Sequence, residues 1–238
     1  MTIGGVFAGA WALYRLLFRR SIVVALIVFS AIYGAEEVAH GSHHTVLLGL
    51  VAFVFHISGP LLIQGALIEL VQDVHVGNRP PSVRELFART RPRILTLLGG
   101  SLLYGLFVVV GLVLLILPGL YFLARFSLII PAIVLENRTV SSALDRSWEL
   151  VLGRTGRVLC VVLLSTAIES SPGFVPYEVP GGETVSTLLG AGLTVLLAPF
   201  LAHILSALYY GLADPERPLV HPSLAGKPMW APAPVNRE

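Results

Sequence analysis

Six long apolar runs organise this sequence. They lie at roughly 21–38, 46–70, 94–117, 119–135, 158–175 and 185–211, and each is long enough, or nearly so, to cross about 30 Å of hydrocarbon as a helix. Short amphipathic segments carrying arginines precede the first, third and fifth runs: "GAWALYRLLFRR", "SVRELFARTRPR" and "SALDRSWELVLGR". In the last of these, Ala143, Leu144, Trp148 and Val151 or Leu152 fall on one helical side, and Asp145, Arg146 and Glu149 on the other. Thr139 or Ser141 is its N-cap. Such a helix is expected to lie in the headgroup plane with Trp148 as an interfacial anchor. It either sets the depth at which a hairpin starts or binds anionic lipid or a cytoplasmic partner.

The runs pair into hairpins at roughly 3–78, 79–138 and 139–213, followed by a Pro-rich tail, 214–238, expected to be extended or disordered. Trp11 aligns over Trp148 and Arg20 over Arg157, and the second member of every hairpin carries a proline: Pro60, Pro131 and Pro199. The expected fold is an all-α membrane protein of six transmembrane helices arranged as three parallel-oriented hairpins, each preceded by a cytoplasmic-side amphipathic helix. The three prolines predict a bend or unwinding in each returning helix.

Composition supports a membrane solvent. Of the 238 residues, 55% are hydrophobic and 13% charged, about half the charge of a typical soluble domain. The mean hydropathy is +0.82. Arg15, Arg19 and Arg20 precede the first run. Arg79, Arg84, Arg89, Arg91 and Arg93 lie between the second and third. Arg138, Arg146, Arg154 and Arg157 lie between the fourth and fifth, and Arg217, Lys227 and Arg237 follow the sixth. The other connections carry none. This positive-inside pattern places both termini and the basic loops in the cytoplasm of a cell whose inner membrane holds the protein. Arg19-Arg20 ahead of an apolar run ending near Ala35 also has the layout of a signal peptide, but the run is long and an uncleaved first span is expected. The single cysteine, Cys160, excludes an intrachain disulfide and a cysteine metal cluster.

Only Arg125 of the 16 basic residues falls inside a run. It stands in "LPGLYFLARF", where Pro118-Gly119 is expected to turn the chain at the outer face, so Arg125 lies roughly 10 Å below that boundary. A charge there costs at least about 2.5–3.5 kcal/mol unless it is compensated. It can snorkel outward, or pair with Glu169, placed at roughly 12 Å depth in the fifth run. Glu36 and Glu37 are the next partners, and His56 completes the candidate buried polar site. Alternatively, Arg125 binds an anionic headgroup or substrate.

Enzymatic readings find little support. His40, His43 and His44, beside Glu36 and Glu37, are weak metal-ligand candidates without a second ligand cluster, so no metal and no cofactor are expected. His56 and His203 are single intramembrane histidines, expected to be satisfied by a neighbouring hydroxyl or carbonyl. No nucleophile elbow, phosphate-binding glycine loop or His-Glu-x-x-His is present.

The stretch "LPGLYFLARFSLIIPAIVLENRTVSSALDRSWELVLGR" resembles the signature of a bacterial and archaeal membrane-domain family, the one named after glycerophosphoryl diester phosphodiesterases. The matching positions are Pro118, Gly119, Arg125, Pro131, Glu136, Ala143, Leu144, Arg146, Ser147 and Trp148. "DVHVGNRPPSVRELF" resembles that family's Gly-Arg-x-x-Ser loop, with Gly77 and Ser82 in place and Arg79 displaced by one. "APFLAHILSALYYGL" resembles its last helix. The resemblance implies a membrane unit. It does not imply a phosphodiesterase, because a catalytic barrel needs about 250 further residues. The functional expectation is a non-enzymatic accessory or scaffolding component of a membrane system, with membrane lipids and another membrane protein or complex as partners, and no nucleic acid. The alternatives are a transporter or lipid-handling protein and a lipid-directed enzyme at the outer face.

Overall fold

The computed structural model describes residues 2–40, 45–174 and 182–220, the side chains of 39, 40, 45, 46, 174 and 182–184 excepted. Helices and turns account for these residues, with no strand among them. Among the described residues five helical stretches are long and apolar enough to cross a membrane, or six if the pair Val140–Val151 and Thr155–Gly173, bent by 111°, is counted as one span. Large apolar side chains cover the outside: Val113 is 80% exposed, Leu117 79% and Leu47 70%. That exterior is stable in lipid and not in water.

Helix α1 (Ile3–His40) and helix α2 (Thr45–Val76) pack against each other. They run antiparallel: Glu36 meets His56, Ile32 faces Gly59, and Arg20 reaches the carbonyls of Pro80 and Pro81 just beyond α2. The first amphipathic segment is not a separate helix, as expected, but the start of α1. Nothing between Trp11 and Arg20 breaks the helix, whereas between Trp148 and Arg157 the chain leaves it at Leu152 and turns at Gly153, whose φ is +75°. The two segments are therefore not structural equivalents.

Helix α3 (Val83–Thr90) begins at a reciprocal capping box. Glu85 N–H donates to the Ser82 hydroxyl at 3.3 Å, and Ser82 N–H donates to the Glu85 carboxylate at 2.6 Å. Leu86, fully buried, ties α3 to α1 and α2.

Helix α4 (Ile94–Leu114) is followed by α5 (Ile116–Arg125) and α6 (Ile129–Glu136). The turn falls at Leu115, extended at φ −163° and ψ 148°, not at Pro118-Gly119 as the sequence led us to expect. Pro118 sits in the first turn of α5, where its missing N–H costs nothing. Gly119 serves close approach instead. A Cβ there would lie 2.4 Å from Leu112 Cγ and 2.7 Å from the Leu112 backbone nitrogen.

The chain unwinds again at Phe126–Leu128, three to five residues ahead of Pro131. Pro131 cannot donate to the carbonyl four residues back, that of Ser127, and its ring crowds that oxygen. The expected unwinding is thus met in the fourth span. In contrast, α2 and α9 (Gly182–Ala213) remain helical through Pro60 and Pro199. With two returning helices unbroken, the strongest sequence argument for a threefold repeat is lost.

After Asn137, which takes the left-handed conformation at φ 51°, helix α7 (Val140–Val151) folds back along α6. Thr139 is its N-cap position. Helix α8 (Thr155–Ser170) then leaves at 111° to α7, passes beside α5, and reaches a short turn, Ser171–Phe174, against α9. Helix α9 packs on both α1 and α2. The tail beyond Val220 lies outside the described residues.

Candidate functional site

Three polar features lie inside this apolar bundle. The first surrounds Arg125, only 5% exposed at the C-terminus of α5. Its side chain runs back toward the start of its helix, as helical side chains do. Nε donates to the Tyr121 hydroxyl at 3.0 Å, and Nη1 donates to the Trp148 carbonyl at 2.9 Å. The guanidinium carbon stands 4.4 Å from the Trp148 ring centre and 5.1 Å from that of Tyr121. Trp148 is in the last turn of α7, where carbonyls lack partners within the helix and the dipole is negative. Arg125 therefore caps α7.

Beside it, the Ser147 hydroxyl donates to the Arg125 carbonyl at 2.7 Å and accepts from Leu128 N–H at 3.2 Å. Ser147 thus satisfies both edges of the break between α5 and α6. The expected ion pair between Arg125 and Glu169 is not formed, and among the described residues Arg125 has no carboxylate partner. Trp148 forms a wall of this clamp while remaining 37% exposed.

The second feature is Glu136 at the end of α6. Its carboxylate accepts from Arg146 Nε at 2.8 Å, and also from Arg138 and from the Tyr209 hydroxyl of α9. Nearby, Arg93 binds Glu69 of α2 and donates to the Val134 carbonyl at 3.2 Å, while Arg89 binds Asp73 at 2.9 Å. Arginines, carboxylates and a tyrosine so close one end of the bundle, joining α2, α3, α6, α7, α9 and the turn ahead of α4.

The third feature is a pair of cavities sharing a wall of Gln64, Glu169 and Leu201. One, of about 230 Å³, lies among α1, α2, α8 and α9 and includes Phe29, Tyr33, Pro60 and Thr194. The other, of about 220 Å³, lies among α2, α4, α8, α9 and the α5–α6 break, and includes Tyr104, Phe126, Ser127, Ser165 and Thr166. Each is about seven times the roughly 30 Å³ that a water occupies in the liquid. Ser127 and Ser165 bond backward to the carbonyls of Ala124 and Val161. Tyr104 donates to the Leu123 carbonyl at 3.3 Å. The Gln64 amide, the Thr166 hydroxyl and the Glu169 carboxylate have no side-chain hydrogen bond or ion pair among the described residues and line these cavities; Gln64 is half-buried, while Thr166 and Glu169 stand at the exposed side of α8.

The remaining sequence candidates are dispersed. Glu36 pairs with His56 at 2.8 Å, far along α1 and α2 from the Arg125 clamp, and the His56 side chain is 69% exposed, so it is not a buried group. His56 takes a carboxylate rather than a hydroxyl or carbonyl, and lines the rim of the first cavity. Glu37 is exposed. His203 meets the expected hydroxyl, its Nε2 lying 3.0 Å from Ser21 Oγ. His43 and His44 and the side chain of His40 lie outside the described residues, and no group of metal-binding side chains forms among the described ones.

Comparisons of the chain with protein-family models, with curated proteins and with solved structures find no match. Sequence reasoning singled out Glu169 but missed Gln64, Thr166, Ser127 and Tyr104. A glutamine within a predicted span was the one available signal.

Proposed function

We propose that this protein binds an amphipathic molecule within the membrane, between its helices, and so handles lipid or a lipid-like substrate. The observation that carries this reading is the double cavity: apolar and aromatic over most of its walls, with Gln64 and Glu169 on the shared one and Thr166 on the second, all three without a side-chain partner among the described residues. Pockets for small molecules have this composition, and an ionisable residue at membrane depth is a functional site by default. We assign the binding group to Glu169 rather than to Arg125, whose Nε and Nη1 are engaged by Tyr121 and Trp148 and whose guanidinium lies against both rings. The alternative, an accessory scaffold without a ligand, accounts for the amphipathic helices but not for Gln64, Thr166 and Glu169.

The same proposal includes the orientation. Six spans form three hairpins, both termini lie in the cytoplasm of a bacterial or archaeal cell, and the Glu36–His56 end faces outward. Membership of the membrane-domain family that the residues quoted above resemble is part of the same proposal. In a Cys160→Ser background, cysteines at Ser42 and Gly182 should react with an impermeant thiol reagent on intact cells, and one at Gly77 should not. Labelling at Gly77 would invert the orientation.

The binding reading is tested by native mass spectrometry of the protein released from detergent. Bound lipid or amphiphile should be retained by the unmodified chain. Ala198→Phe, which projects into the first cavity, and Ser165→Phe, which projects into the second, should reduce it severalfold. Equal retention by all three proteins, or none by any, counts against an intramembrane site.

A further inference from the structure

Resting on that binding reading, we infer that the ligand's head is cationic: an ammonium group carried on an apolar tail. No arginine or lysine lines either cavity among the described residues, and the histidine at the rim, His56, is engaged by Glu36. The formal charge that faces the shared wall is that of Glu169. Its position strengthens the sign. Glu169 is the last residue but one of α8 (Thr155–Ser170), where the carbonyl ends of the peptide dipoles add a further negative potential. A carboxylate is disfavoured there on its own, and a cation drawn to the exposed Glu169 gains from both sources.

Aromatic rings complete the chemistry. Phe29 and Tyr33 stand in one cavity, and Tyr104 and Phe126 in the other. Ring faces attract alkylammonium groups, and the remaining leucine and isoleucine walls suit a hydrocarbon tail. Gln64 and Thr166 supply oxygen acceptors for an N–H donor. An anionic head, in contrast, would face Glu169 without a counter-cation, and like charges brought together across an interface cost several kcal/mol. The anionic headgroup that Arg125 pointed to in the sequence is thus replaced by a ligand of opposite sign at a different residue.

The test uses the full chain in a neutral maltoside detergent and three probes of equal tail: dodecylammonium, dodecanol and dodecyl sulfate. Affinities are measured by calorimetric titration. The ammonium should bind at least about tenfold more tightly than the alcohol, as expected for a desolvated cation against an acid and aromatic faces, and the sulfate more weakly than either. In Glu169→Gln the ammonium should fall to the alcohol's level. Equal affinity for ammonium and alcohol in the unmodified protein, a preference for sulfate, or an ammonium preference that survives Glu169→Gln would each overturn the cationic assignment while leaving an amphiphile site in place. Absence of saturable binding for all three would overturn the binding reading itself. If Glu169→Gln does not fold, the order of the three probes on the unmodified chain still decides.

Discussion

Replacing Arg125 by leucine is expected to lower the stability of the folded protein by about 2–5 kcal/mol. Two hydrogen bonds from a charged donor, to the Tyr121 hydroxyl and the Trp148 carbonyl, are lost. Such bonds contribute about 1.5–3 kcal/mol each. A desolvated cation–π contact adds about 2 kcal/mol. Against this, leucine spares the insertion cost of an ion, about 2.5–3.5 kcal/mol. The losses win, and α7 is left with an uncapped C-terminus beside the α5–α6 break. Arg125→Lys keeps the charge but not the planar fork, and should lie between the two. Thermal unfolding of purified protein in detergent gives the order. Glu169→Leu should change stability by the same amount with or without Arg125→Leu, because the two side chains do not touch. A non-additive recovery in the double variant would restore the ion pair and contradict the clamp.

A comparable loss is expected for Glu136→Leu. The carboxylate holds Arg138, Arg146 and Tyr209 together across α6, α7 and α9. Removing one partner of a fully buried ion pair costs about 3–5 kcal/mol, since the other charge stays behind. Here the Glu136 side chain is 25% exposed, so water relieves part of that cost and about 2–3 kcal/mol remains. Tyr209→Phe removes a single hydrogen bond and should cost about 1 kcal/mol. Glu136→Gln should fall between, because an amide accepts through one oxygen while its NH₂ faces an arginine. Denaturant midpoints of the three variants measure this series. A Tyr209→Phe effect as large as Glu136→Leu would mean that the arginines contribute nothing to the joint.

The spans were legible because a hydrocarbon solvent demands long apolar runs, and nothing else in the chain imitates them. Their ends were less so. Leu115 makes the turn ahead of Pro118 because a single extended residue suffices, and proline is welcome in the first turn of the helix that follows. Pro131 was read as a helix breaker and does break its helix, at the residues whose carbonyls it obstructs. Pro60 and Pro199 do not, although the sequence makes the three look alike.

The depth argument placed Arg125 and Glu169 on neighbouring helices, and α5 and α8 are indeed in contact. Depth fixes height along the membrane normal but not the direction in which a side chain leaves its helix. Arg125 leaves toward α7 and Glu169 toward α2 and α9. The signature residues Ser147 and Trp148 were visible as a motif, but their role was not, because it depends on α7 folding back along α6. Gln64 was visible only as a glutamine within a predicted span, and Thr166 could not be singled out, since a cavity is what packing leaves unfilled, and no local pattern records it.

The central claim is that the cavity between α2, α4, α8 and α9 is a ligand site. An experimental structure of the protein extracted with its native lipid tests it most directly. The account predicts elongated density across the shared wall of Gln64, Glu169 and Leu201, its head within hydrogen-bonding reach of Glu169 and its tail against Phe29 or Phe126. Helices closed over that space, with Glu169 paired to an arginine of this chain, would contradict it.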